Sequence, residues 1–83
     1  MDNLTLFVRD REKVLFDGAV KTVSSLNKKG KFDILPKHAN FISLVGQMLT
    51  IELPEGGKRE IPVDNGILRV VRNKVEVYLG IKS

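Results

Sequence analysis

Three features of the sequence predict an all-β fold. Short runs rich in Val, Ile, Leu and Phe alternate apolar with polar residues. Clusters of Gly, Pro and Asn separate these runs, and no segment sustains apolar residues at the ~3.6-residue spacing of a helix. Together they indicate an antiparallel sandwich or barrel. At 83 residues the chain is long enough for one small domain and too short for two, so residues 1–83 are read as a single β-sandwich domain.

The elements follow in order. Leu4, Leu6 and Val8 share one face of a first strand, and Asp10-Arg11-Glu12 is a polar connection. Lys13 to Asp17 is a second short strand, closed by Gly18. From Ala19 to Leu26 the β-branched content favours a strand, but Val20 and Val23 have opposite parity, which a bulge or a switch between sheets would explain. Asn27-Lys28-Lys29-Gly30 is a turn, and Lys31 to Ile34 a short strand ending at Pro36. Ala39 to Val45 is apolar, with Ile42 and Leu44 pointing one way, and Gly46 breaks it. Leu49, Ile51 and Leu53 mark the clearest strand. Pro54-Glu55-Gly56-Gly57 is a hairpin signal, and Ile61 and Val63 face inward on the returning strand, where Pro62 suits a sheet edge. Asp64-Asn65-Gly66 reads as a turn, Ile67 to Val71 as a strand, and Arg72-Asn73 as a tight turn. In the last strand Val75, Val77 and Leu79 face in, while Lys74, Glu76 and Tyr78 face out.

Hydrophobic content of 42% and charged content of 29% suit a soluble globular chain. With no cysteine there is no disulfide framework and no thiolate metal site. The N-terminal Met1-Asp2-Asn3-Leu4 has no signal-peptide character, and no apolar run approaches the roughly twenty residues of a membrane span. Membrane association would therefore be peripheral or through a partner. The pI of 9.6 invites a nucleic-acid reading, but the two signs of charge are interspersed and aromatics are only 6%.

The segment from Gly30 to Asn40 is the most distinctive. Pro36 lacks a backbone donor and pushes Leu35 towards extended geometry, which suits a strand end or rim. Lys28, Lys29, Lys31 and Lys37 stand there against one acid, Asp33, and suggest a docking surface for acidic or phosphate-bearing partners. His38, the single histidine, has no second histidine or cysteine to share a metal and no nucleophile to activate, so it is read as structural. Ser24, Ser25 and Ser43 lack an elbow motif and a nearby base. Gly56-Gly57-Lys58 lacks the glycine spacing of a phosphate loop. No catalytic, cofactor-binding or metal residues are assigned, and the chain is not read as an enzyme.

Four segments, in the same order and with matching gaps, resemble a known family. Phe16 to Val20 resembles an F-x-G-x-V segment. Gly30 to Ala39 resembles G-E-F-G-I-L-P-G-H-A, Asp64 to Val70 resembles G-G-x-L-x-V, and Asn73 to Val77 resembles N-x-V-x-V. The family is that of the epsilon subunit of F-type ATP synthases, the counterpart of the mitochondrial delta subunit. The resemblance covers nearly the whole chain. It implies a flattened β-sandwich of about ten short, mainly antiparallel strands, belonging to a non-catalytic subunit at the foot of the central stalk. Such a subunit binds gamma and rests on the c ring, and it supports the coupling of proton or ion flow to ATP synthesis from the cytoplasmic side of the plasma membrane. No cofactor and no nucleic acid are implied. Carried over residue by residue, Lys31, Pro36, Lys37 and His38 are the candidates for the ring side.

The sequence departs from the family where Lys31 stands in place of an acid, where Asp33 and Lys37 replace glycines, and where Asn40 replaces a proline. An acid that pairs with a basic ring loop cannot become lysine without losing that attraction, so either the ring loop here is more acidic or the contact differs. Family members also continue into a C-terminal helical hairpin that can inhibit ATP hydrolysis. Here the chain stops at Ser83, and a subunit of this natural length would couple without hairpin-mediated inhibition. The alternative reading is a free-standing basic β-barrel that binds nucleic acid or another anionic partner. It requires Phe7, Phe32, Phe41 and Tyr78 to stand exposed beside the lysines.

Overall fold

In a computed structural model, residues 3–36 and 40–80 are described. They form seven strands: β1 (Leu4–Arg9), β2 (Val14–Val20), β3 (Thr22–Asn27), β4 (Gly30–Ile34), β5 (Phe41–Glu52), β6 (Lys58–Val71) and β7 (Lys74–Leu79). The strands make one sheet in the order β2-β1-β7-β6-β5-β3-β4. All pairings are antiparallel except β1 with β7.

This sheet folds over into a flattened sandwich because β5 and β6 are long and bent. The first half of β5 and the second half of β6 pair with each other and, through β7, with β1 and β2. The remaining halves pair together and, through β3, with β4. The bend lies where the register shifts between Val45 and Gln47 on β5, opposite Val63 to Gly66 on β6. Gln47 takes a left-handed φ of 67° there. The β3 ladder shifts at the same level, and Ser25, buried beside it, donates its hydroxyl to the Met48 carbonyl at 3.0 Å. A bulge locally disrupts the ladder, and the serine supplies a donor at that point.

The inward faces of both layers meet in one core. Leu4, Leu6, Val8 and Val20, with Leu68, Val70, Val75, Val77 and Leu79, line it from the first layer. Val23, Ile34, Leu49, Ile51, Ile61 and Val63 line it from the second. Phe32 and Phe41 close one flank edge to face, with centroids 5.5 Å apart. The molecule measures 38 × 25 × 19 Å, the short axis being the thickness of two sheets and their side chains.

Three expected breaks are absent. Gly18 does not end β2, which runs on to Val20. The break falls at Lys21, so Val20 closes the first layer and Val23 opens the second. Of the two explanations for their parity, the switch between layers holds. Gly46 bends β5 without ending it, and Asp64-Asn65-Gly66 is not a turn but the interior of β6. The merging of these segments accounts for seven strands where about ten short ones were implied. The other turns stand. Gly30 has φ 118°, with the Lys29 N–H donating to Asn27 Oδ1, and the Leu53–Gly57 hairpin carries Gly56 at φ 108°. Arg72 and Asn73 both lie left-handed, as a two-residue hairpin turn requires. Pro62 is exposed on the free edge of β6.

Gly66 makes the bend possible. A Cβ there would lie 2.8 Å from Leu79 Cδ2, 3.0 Å from the Tyr78 carbonyl oxygen and 3.2 Å from Val45 Cγ2. Gly66→Ala is expected to lower the unfolding free energy by about 1–3 kcal/mol, read as a reduced urea midpoint at unchanged slope. A variant as stable as the parent would show that the bend accommodates a side chain.

The β1–β2 connection is held by Asp10, whose Oδ1 accepts the Glu12 N–H at 2.7 Å and the Lys13 N–H at 2.8 Å. These two donors hold its carboxyl below the ordinary value of 3.8. A depressed carboxyl stabilises the fold above its unfolded value and loses that contribution as pH falls through the folded one. Asp10→Ala should therefore be less stable than the parent at neutral pH, and the two unfolding curves should converge as the pH drops below 3.8.

Candidate partner-docking interface

Strand alternation gives the two outer faces opposite chemistry. On the second layer, Thr22 and Ser24 of β3, Lys31 and Asp33 of β4, Thr50 and Glu52 of β5, and Lys58 of β6, with the exposed Leu35 beyond β4, line a shallow, mainly polar hollow of about 280 Å³. Its polar groups are partly satisfied among themselves. Ser24 Oγ donates to Asp33 Oδ1 at 2.6 Å, and Thr22 Oγ1 reaches Glu52 Oε1 at 3.4 Å.

The outer face of the first layer is apolar along one cross-strand row. Leu44 on β5 stands opposite Ile67 on β6, and Ile67 opposite Tyr78 on β7. Tyr78 stands opposite Arg9 on β1, and Arg9 opposite Val14 on β2. Ile42 stands two residues from Leu44 on the same face. Ile42 is 71% exposed, Leu44 64%, Val14 48% and Tyr78 38%. Phe7 packs edge-on against Tyr78 with ring centroids 6.4 Å apart, extending the row. Arg69 and Glu76 form a 3.8 Å ion pair on this face. Ile42, Leu44 and Tyr78, with half-buried Ile67 among them, form an exposed apolar row, interrupted by Arg9 before Val14, and such a patch is a candidate surface for contact with another molecule. Ile42 and Leu44 share a face as the alternation predicts, and that face is the outer one.

The lysine-rich segment is divided by the fold. Lys31 is exposed on β4 and belongs to the polar hollow, on the face away from Ile42 and Leu44. Lys28 and Lys29 stand on the β3–β4 turn, which Asn27 ties to β5 by donating its Nδ2–H to Ser43 Oγ at 3.2 Å. Pro36 is half-buried in a turn just past β4, and exposed Leu35 precedes it. The predicted residues Lys37 and His38 lie outside the described residues. Sequence reasoning did not assign Ile42, Leu44, Ile67 and Tyr78 to one exposed row, because alternation within a strand does not show which strands pair. Phe41 lines a hollow with Lys28 and Lys29, but the rings required by a nucleic-acid surface are not displayed together as exposed platforms beside the lysines. Phe32 and Phe41 are half-buried against each other, and Phe7 is half-buried against Tyr78.

Residues 3–79 match the family described as the ATP synthase delta/epsilon chain, β-sandwich domain. An ATP synthase epsilon chain from a Nitratiruptor species is 39% identical over 75 residues, which are 89% of this chain and 58% of the relative. The chain thus spans less than two thirds of that relative's length. Two solved structures share the fold. One is of the Euglena gracilis mitochondrial ATP synthase OSCP/F1/c-ring, with a TM-score of 0.89 at 15% identity, covering 95% of this chain and 51% of that one. The other is of the Tetrahymena thermophila mitochondrial ATP synthase central stalk and c ring, with a TM-score of 0.76 at 16% identity, covering 94% of this chain and 63% of that one. The seven strands, their shared core and the family match lead to one conclusion: this chain belongs to the β-sandwich domain family of ATP synthase delta/epsilon chains.

Proposed function

We propose that this chain is a non-catalytic central-stalk subunit of a rotary F-type ATP synthase. It docks on gamma through the outer face of the first layer and contacts the c ring through the Pro36 end, supporting the coupling of ion flow to ATP synthesis. Its β-sandwich domain is held peripherally at the cytoplasmic side of the plasma membrane by the complex. The observation that carries this reading is the row Leu44–Ile67–Tyr78 with Ile42 beside it. Burying a large aliphatic side chain contributes about 1.5–3 kcal/mol, so a few such residues suffice for the core of a stable interface. Family membership and the likeness to central-stalk structures supply the partner. Lys31, Pro36, Lys37 and His38 are proposed for the ring side. Support for two separate contacts comes from Lys31, which lies on β4 in the hollow of the second layer, on the face away from the apolar row.

The test is co-purification of the full-length subunit with the gamma subunit of the same genome. A stable one-to-one complex is expected, lost in Leu44→Asp while the variant's melting temperature stays within a few degrees of the parent. A complex indifferent to Leu44→Asp would move the gamma contact off this face. Absence of any complex at micromolar concentration would reduce the relationship to shared fold.

A further inference from the structure

β4 is the last strand of the sheet, and among the described residues nothing pairs with its outer edge. The two-residue Lys28-Lys29 turn makes Asn27 and Gly30 a hydrogen-bonded pair, so the pairs that exchange hydrogen bonds with β3 fall at Gly30, Phe32 and Ile34. Lys31 and Asp33 therefore turn their own backbone N–H and C=O groups to the open side. Their side chains are both exposed on the outer face of the second layer, while Ile34 is buried and Phe32 packs against Phe41. Asp33 Oδ1 accepts the Ser24 hydroxyl at 2.6 Å, and no ion pair joins Asp33 or Lys31 to another side chain among the described residues.

This edge is complementary to itself. A two-fold axis at Phe32 lays β4 antiparallel against β4 of a second copy and sets Lys31 opposite the partner's Asp33, twice. The residues that then face each other are those with open backbone groups, so each such pair exchanges both backbone hydrogen bonds. Lysine on an edge strand ordinarily keeps copies apart. Here the axis lays it against a carboxylate, and opposite charges directly across a ladder attract. The other free edges lack this match. β2 carries one charged side chain, Asp17, and no cation to meet it. The free edge of β6 includes Pro62, which has no N–H to donate.

We propose that a second copy of this chain docks on the β4 edge, joining the two second layers into one continuous sheet. The contact is isologous, with β4 against β4 and the two polar hollows side by side. A five-residue edge buries little area, so the dimer is weak and reversible. It occupies Lys31, which the stalk reading gives to the ring, so dimer and ring contact exclude each other. The dimer is a state of the free subunit and does not depend on that reading.

The experiment is sedimentation equilibrium of the free chain from micromolar to millimolar concentration. The parent should show a reversible monomer–dimer equilibrium. Lys31→Asp and Asp33→Lys each set like charges across the axis, and each should weaken the dimer about tenfold. Lys31→Asp lowers the net charge and Asp33→Lys raises it, so a loss in both cannot come from overall repulsion. The double variant Lys31→Asp/Asp33→Lys should dimerise like the parent, and an equimolar mixture of the two single variants should form heterodimers. Ser24→Ala removes the hydroxyl from Asp33 without changing charge, and should leave the dimer intact. Both substituted charges are on exposed side chains, and a thermal melt of each variant checks folding. A parent that stays monomeric at millimolar concentration overturns the proposal. So does failure of both the double variant and the mixture to restore the dimer. A dimer that Lys31→Asp leaves intact and Leu44→Asp abolishes overturns it in favour of the apolar row. With no gamma in the sample, none of these outcomes bears on the stalk reading.

Discussion

The bend shared by β5 and β6 is the constraint on which the rest of the structure depends. These two strands are the only described elements that belong to both layers, and they are paired along nearly their whole length. A flat ribbon of 12 and 14 residues would leave its apolar face open to water. Folding it at Val45–Gln47 and Val63–Gly66 turns that face onto itself. Leu49, Ile51, Ile61 and Val63 then meet Leu68, Val70, Val75 and Val77 in one core. The bend depends on close approach at Gly66, on a left-handed residue at Gln47, and on the Ser25 hydroxyl that bonds the Met48 carbonyl beside the shifted ladder. β1 and β2 extend one half of the ribbon through β7, and β3 and β4 extend the other.

The same bend decides which residues face solvent. Before it, β5 carries Ile42 and Leu44 outward. After it, the outward positions are Met48, Thr50 and Glu52. One strand thus contributes an apolar stripe to one face and polar groups to the other. That division gives the domain two chemically distinct outer surfaces, one apolar and one charged near β4. The β3–β4 turn lies over the open flank of β5 and adds cations to the edge of the apolar face.

Much of this was legible in the sequence. The all-β class, the inward faces of β1 and β7, and the turns at Asn27–Gly30, Pro54–Gly57 and Arg72–Asn73 follow from period-two alternation and turn chemistry, which are local. The continuity of β5 and β6 was not legible, because Gly46 and Asp64-Asn65-Gly66 have the composition of turns and serve as bulges. Local sequence does not separate the two uses, since both exploit a permissive backbone. The direction of Ile42 and Leu44 was hidden for a related reason. Alternation shows that they share a face, but only the pairing of Leu44 with Ile67, beside buried Val45, shows that the face is the outer one. The lysines looked like one cluster because they are adjacent in sequence. Lys31 sits on a strand whose alternation sends it to the polar hollow, while Lys28 and Lys29 stay on the turn. The family resemblance read from four short blocks holds over residues 3–79.

The central claim is that the outer face of the first layer is the stalk-facing surface. The most direct measurement is a backbone amide shift map of the isotope-labelled subunit as unlabelled gamma is added. The account predicts that the largest changes fall on Ile42, Leu44, Ile67 and Tyr78, with Thr22, Ser24, Asp33 and Thr50 nearly unmoved. Changes concentrated on those four polar positions, with Ile42 and Leu44 unaffected, would contradict it.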